Sequence, residues 1–189
     1  MVNQRAKLVE TTNEFGVFDQ HGRALGAVVE VGQNLFRKAL RLLTNYDQHL
    51  SHKFEVRDMG GSVVLKVTRP AKALRSRFLV TRADGTPIGE ISQQNVFGKV
   101  RFSFTAGGAP IGEMSAENWR AWDFSITDRD GAEVARVTKT YAGFLAEAFT
   151  TADNYVVEVY GHLADPLASM VVASALTVDT ALKQAERDT

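Results

Sequence analysis

The chain contains no cysteine. That absence excludes disulfides, thiolate nucleophiles, zinc–thiolate centres and acyl or prenyl anchors on cysteine together. Net charge is missing as well, since 22 Lys and Arg face 22 Asp and Glu. The molecule as a whole therefore has no electrostatic pull toward nucleic acid or a membrane, and any such affinity must come from a local patch. Long hydrophobic runs are absent too. The greasiest stretch, Pro166–Val178, is thirteen uncharged residues long and ends at Asp179, short of the 18 or so that a membrane-crossing helix needs. No G-x-S-x-G elbow, P-loop or dinucleotide fingerprint occurs, so nothing points to a hydrolase or nucleotide enzyme of those types. The start, Met1-Val-Asn-Gln-Arg, leads into polar residues and then a strand. A cleaved export signal is not expected, and the expected location is the cytoplasm.

What is present is a repeat. Over 189 residues, 44% of them hydrophobic, one phrase recurs five times: a strand, a turn ending in glycine, and a return strand. The turns close at Gly22, Gly61, Gly85, Gly108 and Gly131. Two return strands are nearly identical, Gly85-Thr-Pro-Ile-Gly-Glu-Ile-Ser92 and Gly108-Ala-Pro-Ile-Gly-Glu-Met-Ser115. Asp/Gly pairs between alternating apolar runs read as β-hairpins, because glycine tolerates the positive φ of a tight turn. Alternation is clear in Phe54/Val56, Val63/Leu65/Val67, Phe78/Val80, Val100/Phe102/Phe104 and Trp122/Phe124/Ile126, so one side of each strand faces a core. The pattern predicts an up-and-down antiparallel sheet of roughly ten strands, too many to lie flat without curling or closing.

Two segments depart from it. Leu35, Phe36, Ala39, Leu40 and Leu43 are helically spaced, with Arg37, Lys38 and Arg41 largely on the other side, which predicts a short basic amphipathic helix over Asn34–Thr44. From Asp165 to about Glu186 helix formers dominate, with Asp165 expected as N-cap and Pro166 at the first helical position. Apolar residues occupy nearly every face of this second helix, so it must be buried, and a closing sheet wrapped around it is the simplest burial.

The segments Lys53–Pro70 and Arg136–Val159, followed by the apolar helix, resemble phospholipid scramblases and their relatives with the tubby C-terminal-like or LURP-one-related fold. The resemblance runs from about residue 8 to 182, and Glu147–Tyr155 with the following helix is its most specific part. It implies one mainly β domain over 1–189: a closed antiparallel β-barrel of about twelve strands over residues 8–160, with the helix of residues 165–186 through its centre. It also implies a phospholipid scramblase-related protein, membrane-associated at the inner face of the plasma membrane.

Candidate chemistry is sparse. Scramblases of eukaryotes carry a proposed calcium loop where this chain has Asp153-Asn154, and the matching oxygen positions here are Thr151, Asp153, Tyr155 and His162. One leading carboxylate and the closing one are missing, so Asp153 and Asn154 read as a remnant that forms a turn, and no metal or other cofactor is expected. Asp128-Arg-Asp-Gly131 is a hairpin turn by the same reasoning. His49 and His52 are three apart, but a zinc site would need His21 and His162 as well; the pair reads as solvated loop histidines. The best lead is basic. Lys66, Arg69, Lys72, Arg75, Arg77 and Arg82 fall in one window with no acidic residue among them, and Arg37, Lys38 and Arg41 would add to it. Such a cluster holds a protein reversibly on an anionic phospholipid surface. The lipidated cysteines of animal scramblases have no counterpart, so membrane contact should be weak. Covalent catalysis and nucleic-acid binding have no positive support, and transbilayer scrambling by one short helix lacks a polar path. A phosphoinositide-tethered or protein-interaction scaffold of the tubby type is the alternative.

Overall fold

The computed structural model describes residues 3–10, 14–31, 51–70, 76–95, 100–118, 123–140 and 154–185. Among these residues it has twelve strands: β1 Asn3–Glu10, β2 Glu14–Asp19, β3 Ala24–Val31, β4 His52–Asp58, β5 Val63–Arg69, β6 Arg77–Arg82, β7 Pro87–Gln93, β8 Arg101–Ala106, β9 Ala109–Asn118, β10 Asp123–Asp128, β11 Glu133–Thr140 and β12 Asn154–Tyr160. One helix, α1, spans Leu167–Ala185. The strands form one antiparallel sheet in which sequence neighbours are hydrogen-bonded neighbours, and β1 pairs with both β12 and β2, so the order returns to its start. Asn3 stands opposite Tyr160 and Leu8 opposite both Tyr155 and Val17. Pairing thus begins at Asn3, five residues ahead of the boundary expected near residue 8. The short basic helix expected over 34–44 lies outside the described residues.

The repeated phrase has a repeated structure. In four hairpins the residue before the turn bonds across it twice; Asp19 donates its N–H to the Arg23 carbonyl and accepts from Gly22 N–H at 3.0 Å, and Asp58, Arg82 and Asp128 do the same. Asp19, Asp58 and Asp128 each accept two more backbone N–H groups on Oδ1, which is why aspartate recurs there. The closing glycines Gly22, Gly61, Gly85, Gly108 and Gly131 have φ between 78° and 91°, the region where a side chain is strained.

Each glycine-turn hairpin also carries a register shift just ahead of the turn: Val17/Phe18, Val56/Arg57, Val80/Thr81, Phe104/Thr105 and Ile126/Thr127. Bulges of this kind bend a strand and increase its twist, the device by which a long meander curls. Three of these bulged strands press a carbonyl onto a glycine of the strand before. A Cβ on Gly26 would lie 2.1 Å from Arg57 O, one on Gly89 2.4 Å from Thr105 O, and one on Gly112 2.5 Å from Thr127 O. Gly89 and Gly112 are the glycines of the two Pro-Ile-Gly-Glu copies, so the sequence repeats there because the backbone approach repeats.

Because neighbours are antiparallel, connections alternate between two ends. The five glycine turns lie at one, the turn end. The connections β1–β2, β3–β4, β5–β6, β7–β8, β9–β10 and β11–β12 lie at the other, the far end. The core is the inner face: Phe78, Val80, Ile91, Phe102, Phe104, Met114, Phe124, Ile126 and Tyr155 are at most 1% exposed. Helix α1 enters from the turn end and packs chiefly on β6, β7, β9, β11 and β12. Ala173–Val178 is buried without a break, as its all-round apolar sequence requires. Two polar residues in that run satisfy themselves on their own helix: Ser174 Oγ donates to Val171 O at 2.7 Å and Thr177 Oγ1 to Ala173 O at 3.2 Å. The cap differs from expectation by one position. Pro166 stands just ahead of the helix, and Asp165 reaches over it, accepting from Ser169 N at 3.3 Å and Ser169 Oγ at 2.7 Å.

Candidate functional site

The described ends of the basic window, Arg69 and Arg77, stand at the far end of the sheet. Arg69 ends β5 and Arg77 begins β6, bracketing the segment that contains Lys72 and Arg75. Arg37, Lys38 and Arg41 fall in the sequence between β3 and β4. Those five residues lie outside the described ones. Lys66 and Arg82 point the other way in the fold. Lys66 Nζ donates to the Ala83 carbonyl in the β6–β7 turn, and Arg82 holds Asp165 Oδ2 at 3.1 Å beside the start of α1.

The basic run is also less bare than its sequence window. Arg77 pairs with Glu90 Oε2 at 2.5 Å from the adjacent strand, and Arg82 with Asp165 from 83 residues on. Glu90 could have been found by counting register, since Leu79 stands opposite it; Asp165 could not, because no local pattern ties β6 to the helix start. Burial alone would raise the Glu90 pKa, but hydrogen bonds from Ser92 and Arg77 and the Arg77 charge outweigh it and hold the carboxyl below its usual value. Asp165 is likewise held low, first by the Ser169 hydroxyl and, against burial, by Arg82. At the turn end, Asp19 is pulled down to about 2, led by the Arg23 backbone N–H.

These shifts set a pH dependence. A carboxylate whose pKa is depressed by folding contributes stability above its unfolded value, and loses that contribution as pH falls through its folded one. The urea midpoint should therefore hold steady above pH about 5 and decline from about 4 toward 2. In an Asp19→Asn, Glu90→Gln, Asp165→Asn triple variant the decline should be shallower, as read by urea melts across that range.

His52 corrects an expectation. It is not a solvated loop histidine but the first residue of β4, 8% exposed, with Nδ1 2.7 Å from Glu30 Oε1 on β3. Its ring stacks on Phe54 at 6.4 Å between centroids and 12° between planes. The strand starts one residue earlier than the alternation of Phe54 and Val56 suggested, which places His52 on the inward face with them. His49 and Asp153 lie outside the described residues, and Asn154 begins β12. Among the described residues no three His, Cys, Asp or Glu converge to hold a metal ion, and no helix is long and apolar enough to cross a membrane.

Comparison with known proteins agrees with the fold. The family model described as Scramblase matches residues 5–182. A phospholipid scramblase family protein of Schizosaccharomyces pombe is 25% identical over 155 residues, covering 78% of this chain and 40% of that protein. The chain thus spans well under half the length of that relative. An X-ray structure of a protein from Arabidopsis thaliana superposes with a TM-score of 0.59 at 17% identity, over 94% of this chain and 91% of that one; this likeness concerns the fold alone.

Proposed function

Because the chain belongs to the scramblase family, we propose that it is a peripheral phospholipid-binding protein that meets anionic bilayers with the far end of its sheet and makes no covalent bond to lipid. What supports this is the basic sequence window together with the strands that bound it. Arg69 and Arg77 stand at the far end of β5 and β6, and in the sequence Lys72 and Arg75 fall between those strands and Arg37, Lys38 and Arg41 between β3 and β4. Lys66 is the weakest member of the set, since its ammonium is committed to Ala83 O. The barrel closed through β1 around α1 is taken as the form that meets the bilayer in the cytoplasm. Its interior is lined by buried aromatic and aliphatic side chains, so it offers no polar route for a headgroup, and adsorption without transbilayer transfer follows.

The test is flotation with vesicles containing phosphatidylserine across a salt series. Binding should be present at low salt and lost as salt rises, because surface charges are screened within about 10 Å at 0.1 M. Each basic residue near an anionic surface contributes about 1 kcal/mol, so a Lys72→Ala, Arg75→Ala variant should bind about thirtyfold more weakly. Failure to float at low salt removes the proposal. A marked preference for one phosphoinositide at equal vesicle charge would favour the tubby-like tether instead.

A further inference from the structure

A cavity of about 910 Å³ opens at the turn end, between α1 and the inner faces of β2, β3, β4 and β12. It exists because the helix sits off-centre, packed chiefly on β6, β7, β9, β11 and β12. Among the described residues its walls are aliphatic, with Val17, Val28, Val56, Val157 and Val171 lining it. Val172 also faces it: this residue is 47% exposed while Val171 and Ala173 beside it are 1% and 0%. An aliphatic slot of this size, with a few polar groups at its rim, has the form of a small-molecule site.

The rim has a definite chemistry. Gln20, His21 and Arg23 from the β2–β3 turn and His162 from the segment before α1 stand at the mouth together with Asp19. The Asp19 carboxylate is already engaged: Oδ1 accepts the N–H groups of His21 and Arg23, and Oδ2 accepts Arg23 Nε at 2.8 Å. The Arg23 side chain is nevertheless 78% exposed. The Gln20 amide nitrogen lies 3.2 Å from His21 Nε2, so the exposed Arg23 guanidinium is the main donor the mouth presents, which suits an anionic head on a hydrocarbon chain. The source is solution rather than an anionic bilayer. This end carries the turn carboxylates Asp58, Asp84 and Asp128 as well as Asp165, and it lies opposite the basic connections.

We propose that this cavity holds one long-chain fatty acid, its hydrocarbon between α1 and the β2–β3–β4 wall and its carboxylate at the mouth by Arg23, His21 and His162. The site goes beyond the membrane contact proposed above and uses the other end of the molecule.

Titration of the delipidated full chain with cis-parinaric acid, followed by displacement with saturated fatty acids from octanoate to stearate, tests it. Affinity should rise about fourfold per methylene until the cavity is filled. Val172→Trp, which fills the space, should weaken binding by about tenfold or more, with an unchanged melting temperature and unchanged vesicle flotation. Leu25→Trp, a substitution at a 48% exposed position of the mouth, should have the same effect and serves if the first variant does not fold. Arg23→Ala should weaken palmitate and leave hexadecanol unaffected. The proposal is overturned by any of three results: no saturable binding, both tryptophan variants binding like wild type, or loss of vesicle flotation in those variants, which would assign the cavity to a bilayer lipid.

Discussion

Alanine at Gly26, Gly89 or Gly112 is expected to destabilise the protein by about 3 kcal/mol in each case, the range of forced overpacking in a closed core. The obstacle is backbone, which cannot rotate away as a side chain would: Arg57 O at 2.1 Å, Thr105 O at 2.4 Å and Thr127 O at 2.5 Å from the added carbon. At Gly89 the helix adds to it, with Met170 Sδ 3.1 Å away. For a chain of this size the loss corresponds to a fall of about 9 °C in melting temperature. Gly22 and Gly61 provide the contrast. A Cβ there meets nothing within 4 Å, so alanine should cost only the positive-φ strain, about 1 kcal/mol. A Gly89→Ala protein melting with wild type would mean that the bulged strand does not press on its neighbour.

The second large effect concerns the helix. Ala173→Asp should abolish the folded state or lower its stability by about 4 kcal/mol or more, because Ala173 is 0% exposed and a carboxylate there would be buried without a partner. Val172→Asp, one residue earlier, faces the open cavity at 47% exposure and should cost far less. The pair separates an enclosed helix from one lying in lipid or detergent, where adjacent positions near the same depth would not differ so sharply. Urea denaturation of both variants reads the difference; equal midpoints would show that α1 is not enclosed by the sheet.

Much of the fold was legible because local rules and global architecture agree here. Alternation located Phe54, Val67, Phe78, Val80, Phe104 and Ile126 on the inner face, and all are buried. Asp/Gly pairs marked the turns because both the carboxylate cap and the positive φ are local requirements. The twin Pro-Ile-Gly-Glu strands were visible, but the reason for their glycines was not, since it is a carbonyl on the next strand. The first strand was undercounted because its pairing with β12 joins residues 3–9 to 154–160, a relation with no local signature. His52 was misread for want of one residue of strand. The basic cluster was seen as uninterrupted charge because its counter-ions Glu90 and Asp165 arrive from another strand and from the helix start. The cavity, likewise, depends on where α1 sits across the sheet, which helical periodicity does not fix.

The helix packed against the inner face is also the final described element, following all twelve strands in chain order. During synthesis every hairpin therefore emerges before the surface it must wrap. Individual hairpins can pair early, since their contacts are local, but their apolar inner faces stay without a partner until residues beyond Leu167 leave the ribosome. A chain stalled or cleaved before that point presents a row of aromatic side chains to its surroundings, the species most prone to stick to others. The inner face is thus covered late, only once the helix that follows β12 has been made.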